Sequence, residues 1–396
     1  MNIYALSSGR GPSGIAIIRL SGKDALKISE LISQKKNLKS KTTNVCKFYN
    51  PSNNTLIDEG ILLSFPRPNS FTGDDLVEFH IHGSNAVISY FLSVLSEQNN
   101  CRLAEPGEFT KTAFQNNKID LVEAESIGDL INSETELQRQ QAVNLLQGNA
   151  SNYYNNLREK LIKSLAYIEA KIDFAEDDLP DSVLKEVQKS VKEVSLDIKN
   201  ILEDHKVGEK IRDGFRVSIV GEVNAGKSSL LNLLSKREAA IVSEEKGTTR
   251  DIIEVYLNID GYPVILADTA GIRNSSNKIE RKGITLAINK SKESDLSLIV
   301  IDNSSKTIEP KIQELINEDC IVVLNKSDIA TKQNHIFGRT EMVLVSVKNN
   351  INIVELTNKI KNKLSKKFIT SKNTLITRER HRNKLNACLK EIDNFL

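Results

Sequence analysis

The sequence predicts a multidomain chain: an α+β N-terminal domain, an α-helical bundle, and an α/β P-loop domain with a mostly parallel sheet inserted into that bundle. Three observations carry this. The chain has 396 residues, more than one ordinary domain holds. Short β-rich runs broken by turns give way near Lys118 to long stretches almost free of Gly and Pro. From about residue 213, apolar strands alternate with helical stretches, the βαβ pattern of a parallel sheet.

Residues 1–117 carry the β-rich runs Gly14–Leu20, Gly60–Phe65 and Leu76–Ile81, with turn-forming stretches at Pro66–Gly73 and Glu105–Gly107. In residues 118–212, Leu157, Leu161, Leu165, Ile168 and Ile172 step by four or three, as an apolar helix stripe does. Leu184, Val187, Val191, Val194, Ile198 and Ile201 make a second stripe, and Pro180 marks the break between the two helices. Both stripes read as bundle packing. Residues 213–373 hold the strands Phe215–Val220, Val264–Ala267, Leu296–Ile301, Ile321–Leu324 and Met342–Val345. In residues 374–396, Leu385, Leu389, Ile392 and Leu396 share one helix face. Residues 118–212 and 374–396 therefore form one helical domain interrupted by the α/β domain, with the insertion points close in space.

Composition excludes several classes. Apolar residues are 39% and aromatics 5%, with no Trp, which is lean but enough for helix-rich cores. Lys and Arg number 54 against 52 Asp and Glu, a net +2, so no global basic field points to nucleic acid. An RNA partner must be held by a local patch. Cys46, Cys101, Cys320 and Cys388 form no CxxC pair, which excludes a zinc ribbon and argues for a reducing, cytoplasmic setting. The N-terminus does not read as a signal peptide, and no stretch approaches the ~20 apolar residues of a membrane span.

The strongest motif is Gly221-Glu-Val-Asn-Ala-Gly226-Lys227-Ser228, after a strand and before an apolar helix. Its glycines let backbone N–H groups point at phosphate oxygens. Lys227 supplies charge to the β and γ phosphates, and Ser228 offers a hydroxyl to Mg²⁺. Asn224, Ala225, Gly226 and Ser229 complete the loop's expected nucleotide contacts. The base is readable too. Asn325-Lys326-Ser327-Asp328 follows a strand, and the Asp328 carboxylate can accept from guanine N1–H and the 2-amino group. Adenine lacks both donors and would leave that carboxylate unpaired. Ser346, Val347 and Lys348 are placed to contact the guanine O6. Asp268-Thr269-Ala270-Gly271 ends another strand, where Asp268 can hold Mg²⁺ through water and the Gly271 amide can sense the γ-phosphate. Together these imply GTP.

Ile272 stands where a water-orienting Gln is expected, and an apolar side chain cannot position the attacking water. Another group must do so, and a charge stabiliser must replace an arginine finger. Lys246-Gly247-Thr248-Thr249-Arg250-Asp251 has the pattern of a switch I segment, with Thr249 as Mg²⁺ ligand.

These motifs, with Asp-Thr-Ala-Gly-Ile-Arg at 268–273, resemble those of the tRNA-modification GTPase family MnmE, also called TrmE. Gly14–Gly22, Pro68–Asp75, His82-Gly83, Arg102–Thr110 and Asn117–Glu125 resemble the family independently. The resemblance implies a homodimer paired through N-terminal domains that are similar to folate-dependent aminomethyltransferases. It implies a tetrahydrofolate one-carbon donor, with Arg19, Glu78 and Lys118 at the positions matching the folate contacts. It implies K⁺ in place of an arginine finger, held by Asn224, Ser243, Glu245 and Thr248, with Glu244 and Lys246 also beside the nucleotide. Glu280 matches the residue that orients the attacking water. It further implies an FAD-dependent partner, MnmG. With it the family adds an aminomethyl or carboxymethylaminomethyl group to C5 of the wobble uridine of certain tRNAs.

The family continues to a C-terminal Cys-x-Gly-Lys motif, whereas Cys388 has no Gly-Lys after it and the chain ends at Leu396. The expectation is a chain truncated at its C-terminus relative to the family, with modification impaired. The alternatives are a regulatory GTPase of ribosome assembly, or a truncated GTPase inactive in modification.

Overall fold

The structure, a computed structural model, describes residues 1–36, 40–173, 182–204, 206–237, 254–268, 293–305, 307–329, 340–368 and 374–396. It divides into two compact units, Met1–Glu125 and Ser126–Leu396.

The first unit contains β1 (Asn2–Leu6), β2 (Ser13–Ser21), α1 (Ala25–Ser33), β3 (Asn44–Tyr49), β4 (Leu56–Phe65), β5 (Leu76–Gly83), α2 (Asn85–Ser96), β6 (Cys101–Leu103) and α3 (Glu108–Gln115). Helix α4 (Leu121–Ile131) carries the chain into the second unit. The strands form one sheet in the order β3-β4-β5-β2-β1-β6. All neighbours are antiparallel except β1 and β6, which are parallel. The alternating residues Ile18 and Leu20 of β2, and Val77, Phe79 and Ile81 of β5, point into one core with residues of α1 and α2. Phe48, Phe79 and Phe91 pack there as a trio, with centroids 4.9 to 5.7 Å apart. The expected strands at Gly14–Leu20, Gly60–Phe65 and Leu76–Ile81 lie in β2, β4 and β5. Strands β1, β3 and β6 are additional.

The second unit continues with α5 (Glu136–Leu146), α6 (Asn149–Asp173), α7 (Ser182–Leu202), α8 (Val207–Asp213), β7 (Phe215–Gly221), α9 (Lys227–Arg237), β8 (Glu254–Ile259) and β9 (Tyr262–Asp268). It ends with β10 (Leu296–Asp302), α10 (Pro310–Gln313), β11 (Cys320–Asn325), β12 (Glu341–Leu344), α11 (Ile353–Phe368) and α12 (Glu379–Phe395). The sheet order is β12-β11-β10-β7-β9-β8. All pairs are parallel except β8 with β9. The central strands are near-continuous apolar runs because both faces are covered. Val217, Ile219, Leu298, Val300, Ile321 and Val323 face one core, and Val220, Ile299, Ile301, Val322 and Leu324 face the other. The β8–β9 hairpin turns on Asp260-Gly261, both at positive φ (48° and 91°). That is the two-residue hairpin turn that suits twisted strands.

Helices α6, α7 and α12 share a core of Leu157, Val187, Val191, Val194, Ile198 and Ile392, edged by Leu161, Ile168, Leu385 and Leu389. Three stripe residues depart from expectation: Leu165 is 54% exposed, Ile172 69% and Leu184 43%. Each i+4 step turns a side chain about 40° round the helix, so Leu165 and Ile172 drift about 80° and 60° from Leu157. Leu396 is also exposed, and Pro180 lies outside the described residues. A capping box at Thr135–Gln138 opens α5. Arg382 anchors α12 on Asp204 (2.7 Å), Glu209 (2.8 Å) and the Leu202 carbonyl (3.0 Å). Gln141 Nε2 donates to both the Gly208 carbonyl (3.1 Å) and the Thr374 hydroxyl (3.0 Å), so the chain before β7 lies beside the chain before α12. No helix among the described residues is long and apolar enough to cross a membrane.

Candidate functional site

Strand β7 ends at Gly221 and α9 starts at Lys227, leaving residues 222–226 as the connecting loop. Both glycines of the motif have steric reasons. A Cβ on Gly221 would lie 2.0 Å from the Val300 carbonyl oxygen of the neighbouring strand. Gly226 has φ +98°, and a Cβ there would lie 2.2 Å from Asn325 Nδ2. Asn224 is left-handed at φ 60° and exposed, while Ala225 is buried. The loop therefore leads into the N-terminus of α9, whose N–H groups and dipole point toward the loop and favour an anion. Lys227 Nζ donates to the Gly221 and Glu222 carbonyls at 2.9 and 2.7 Å, which draws its charge back over the start of the loop. Ser228 and Ser229 sit exposed in the first turn of α9.

The sheet brings the second motif to the same edge. Asn325 closes β11 and is buried. Its Nδ2 donates to the Ala225 carbonyl at 2.8 Å, and its Oδ1 accepts from the Val347 N–H at 3.1 Å. One side-chain amide thus ties the phosphate loop to the loop after β12. The Ser346 hydroxyl donates to Asp328 Oδ1 at 2.6 Å and holds that exposed carboxyl below the ordinary carboxylate range. The same hydroxyl accepts from the Asn349 N–H at 3.2 Å. Lys348 is exposed beside it. Lys326, left-handed at φ 65°, bonds Asp302 Oδ2 at 2.6 Å. Asn224, Ala225, Gly226, Lys227, Asn325, Lys326, Asp328, Ser346 and Val347 are thus assembled at the carboxyl end of one parallel sheet, where such sheets bind ligands.

Asp268 ends β9, in register with Ile219 of β7; its side chain lies outside the description. Ser243, Glu244, Glu245, Lys246, Gly247, Thr248, Thr249, Thr269, Ala270, Gly271, Ile272 and Glu280 lie outside the described residues. Two further side chains, which no sequence motif marks, brace the site. Asp302 is one. The other is Glu222, whose Oε1 accepts from the Glu309 N–H at 2.9 Å and so braces the phosphate loop. Asp302 had a readable signal, a carboxylate closing an apolar strand. Glu222 had none.

In the first unit, Arg19 and Glu78 are cross-strand partners, joined by Nε and Nη2 to Oε1 at 3.1 and 2.7 Å. The Arg19 guanidinium lies 5.9 and 5.7 Å from the Phe71 and Phe109 ring centroids. His80 Nε2 is 3.6 Å from the other Glu78 oxygen. Lys118 Nζ donates to the Pro68 carbonyl at 2.9 Å, so it holds the same 66–73 segment that carries Phe71. Arg19 and Glu78 meet directly, and Lys118 is bonded to backbone rather than to either.

The pattern described as "GTP-binding protein TrmE N-terminus" matches residues 2–118, and "MnmE helical domain" matches residues 121–396. The tRNA modification GTPase MnmE of Pelagibacter ubique (strain HTCC1062) is 55% identical over 396 residues, 100% of this chain and 89% of its own. The chain belongs to the MnmE family. The MnmE of Rickettsia typhi (strain ATCC VR-144 / Wilmington) is 42% identical, over 99% of this chain and 89% of its own. The expected C-terminal truncation relative to MnmE is not borne out by the match, which takes in the whole of this chain. Among solved structures, the G domain of the T. maritima FeoB iron transporter is 25% identical over 38% of this chain and 98% of its own, with a TM-score of 0.28. That likeness is too loose to bear on membership in MnmE.

Proposed function

We propose that the carboxyl edge of the parallel sheet binds and hydrolyses GTP in the service of tRNA modification. The chain is a GTP hydrolase of the tRNA-modification class, as its family match supports. The observation that carries the site is the buried Asn325 amide, which joins the phosphate loop at Ala225 to the base-side loop at Val347. Phosphates sit on the N–H groups of 222–228, and guanine on Asp328 with the 346–348 loop at its O6. Ser228 and Thr249 would hold Mg²⁺, and Asn224, Ser243, Glu245 and Thr248 would hold K⁺. The exposed Ser228 hydroxyl and Asn224 amide suit those cations as oxygen donors. Bound there, the cations supply positive charge to the phosphate oxygens. Glu280 orients the attacking water.

In the first unit, the reading is a tetrahydrofolate site at Arg19, Glu78 and Lys118. An ion pair flanked by Phe71 and Phe109 supports it, since those rings offer a flat ligand aromatic faces. The chain acts as a cytoplasmic homodimer with MnmG on the wobble uridine, a reading that follows its family membership. Residues 118–212 and 374–396 are one helical domain around 213–373, supported by the α6–α7–α12 core and the Gln141 bridge.

The deciding experiment is Asp328→Asn in a nucleotide competition assay. The new amide donates to the 2-oxygen of xanthine and clashes with the guanine 2-amino group. Preference should shift from GTP toward xanthosine triphosphate by about 10²-fold or more. Unchanged guanine preference sinks the site.

A further inference from the structure

We infer that Asp302 is a positioning residue that fixes Lys326 for the guanine base; the inference rests on the assignment of 325–328 to guanine.

Lys326 occupies a left-handed backbone position at φ 65°, uncommon for a side chain of this size. Its neighbours hold it there. Asn325 is bonded at both ends of its amide, and the Ser327 N–H donates to the Val345 carbonyl at 3.1 Å. The Lys326 side chain runs to Asp302, with Nζ 2.6 Å from Oδ2. The two side chains are 33% and 18% exposed.

Asp302 is itself immobilised. Its Oδ1 accepts from the Ser304 N–H at 2.9 Å and the Ser304 hydroxyl at 2.6 Å. Its backbone stands in register with Asn325 across the parallel β10–β11 pair, and the Asn303 N–H donates to the Asn325 carbonyl at 2.9 Å. Each carboxylate oxygen therefore has its own partner, and the carboxylate has one orientation. Burial pushes its pKa up, but the bonds from Lys326 and Ser304 more than reverse this and keep it ionised.

Two consequences follow. The Lys326 methylene chain is stretched from the end of β11 to the end of β10, along the sheet edge that carries Asp328. Its charge is neutralised by Asp302. What Lys326 offers a ligand is then a preset hydrocarbon strip, the surface a flat purine face requires, and not a mobile cation. A long side chain ordered before binding loses no rotamer freedom on binding. Asp302 thus acts on nucleotide residence through Lys326, without touching the nucleotide.

The test measures guanine-nucleotide dissociation with a fluorescent GDP, and GTP turnover, in Asp302→Asn, Lys326→Met and the double variant. Asp302→Asn should speed dissociation about tenfold and raise KM similarly, with kcat at saturating GTP within about twofold. In the Lys326→Met background, Asp302→Asn should add nothing, because no ammonium remains to position. An equal effect in both backgrounds overturns the inference, since that is general loosening of the strand end. Wild-type dissociation in a folded Asp302→Asn also overturns it. If Asp302→Asn does not fold, Ser304→Ala frees one carboxylate oxygen and should show a smaller acceleration with the same dependence on Lys326. No acceleration there refutes the inference. The Asp328→Asn preference assay runs in parallel. A shift to xanthine there with no Asp302 effect overturns only the positioning role, whereas no shift overturns the site assignment beneath it.

Discussion

The proposed nucleotide site in the second unit is shaped chiefly by its main chain. Gly221 and Gly226 are required by close approach and by φ, and Asn325 serves by bonding two backbone groups. The proposed Arg19–Glu78 site in the first unit presents side chains from two neighbouring antiparallel strands. The difference teaches where each site is fragile. A site made of backbone fails when a Cβ is added. A site made of side chains fails only when their chemistry changes, and its fold survives.

The largest effect should come from Gly226→Ala. The left-handed φ of +98° and the 2.2 Å approach to Asn325 Nδ2 leave no room for a methyl. Strain of this kind costs about 1–3 kcal/mol, and the displaced amide adds to it. Nucleotide binding should fall at least about 10²-fold. Calorimetric titration with GDP, beside a denaturant melt, checks both parts.

Asn325→Ala comes next. It keeps the glycines but leaves the Ala225 carbonyl and the Val347 N–H without the partner they share. An unsatisfied buried group costs about 1–3 kcal/mol. Stability should drop by that order and GTP affinity by about tenfold. Retained affinity would show that the two loops hold their geometry independently, and would weaken the contrast between the sites.

Glu78→Gln should be mildest in stability. The Arg19–Glu78 pair has side chains 28% and 15% exposed, but Gln keeps a carbonyl oxygen to accept from the Arg19 guanidinium, so the change costs about 1 kcal/mol. Binding of a reduced folate should nevertheless fall about tenfold or more, with the denaturation midpoint nearly unchanged. A large loss of stability with intact folate binding would make the pair a structural brace and erase the distinction.

Legibility followed the same division. The phosphate loop was readable because its spacing is a consequence of backbone geometry: a strand, a tight curl, a helix N-terminus. Asp328 is proposed on chemistry alone, since guanine's donors call for a carboxylate at that place. Asn325 was expected beside the nucleotide, but its role as a bridge between loops depends on β11 and β12 ending level with β7. The spacing of Arg19, Glu78 and Lys118, 59 and 40 positions, encodes nothing local, so only the family resemblance points to them. The five residues of β1 show no periodicity that marks a strand; it is a strand because β2 and β6 flank it.

The sequence by itself determined the βαβ order of the second unit, the strand–loop–helix at 215–237 and the apolar stripe of α7. Those depend on near neighbours: hydrophobic period, glycine conformation and turn chemistry. Tertiary structure decided that β8 runs antiparallel on the sheet edge, that Leu165 and Ile172 miss the helical core, and that Gln141 meets Thr374. It also decided that the Lys326 amine ends on Asp302, 24 positions away in sequence. These are matters of which surfaces meet across long loops, and no local preference specifies that; the burial of both sheet faces and the pairing of strand ends do.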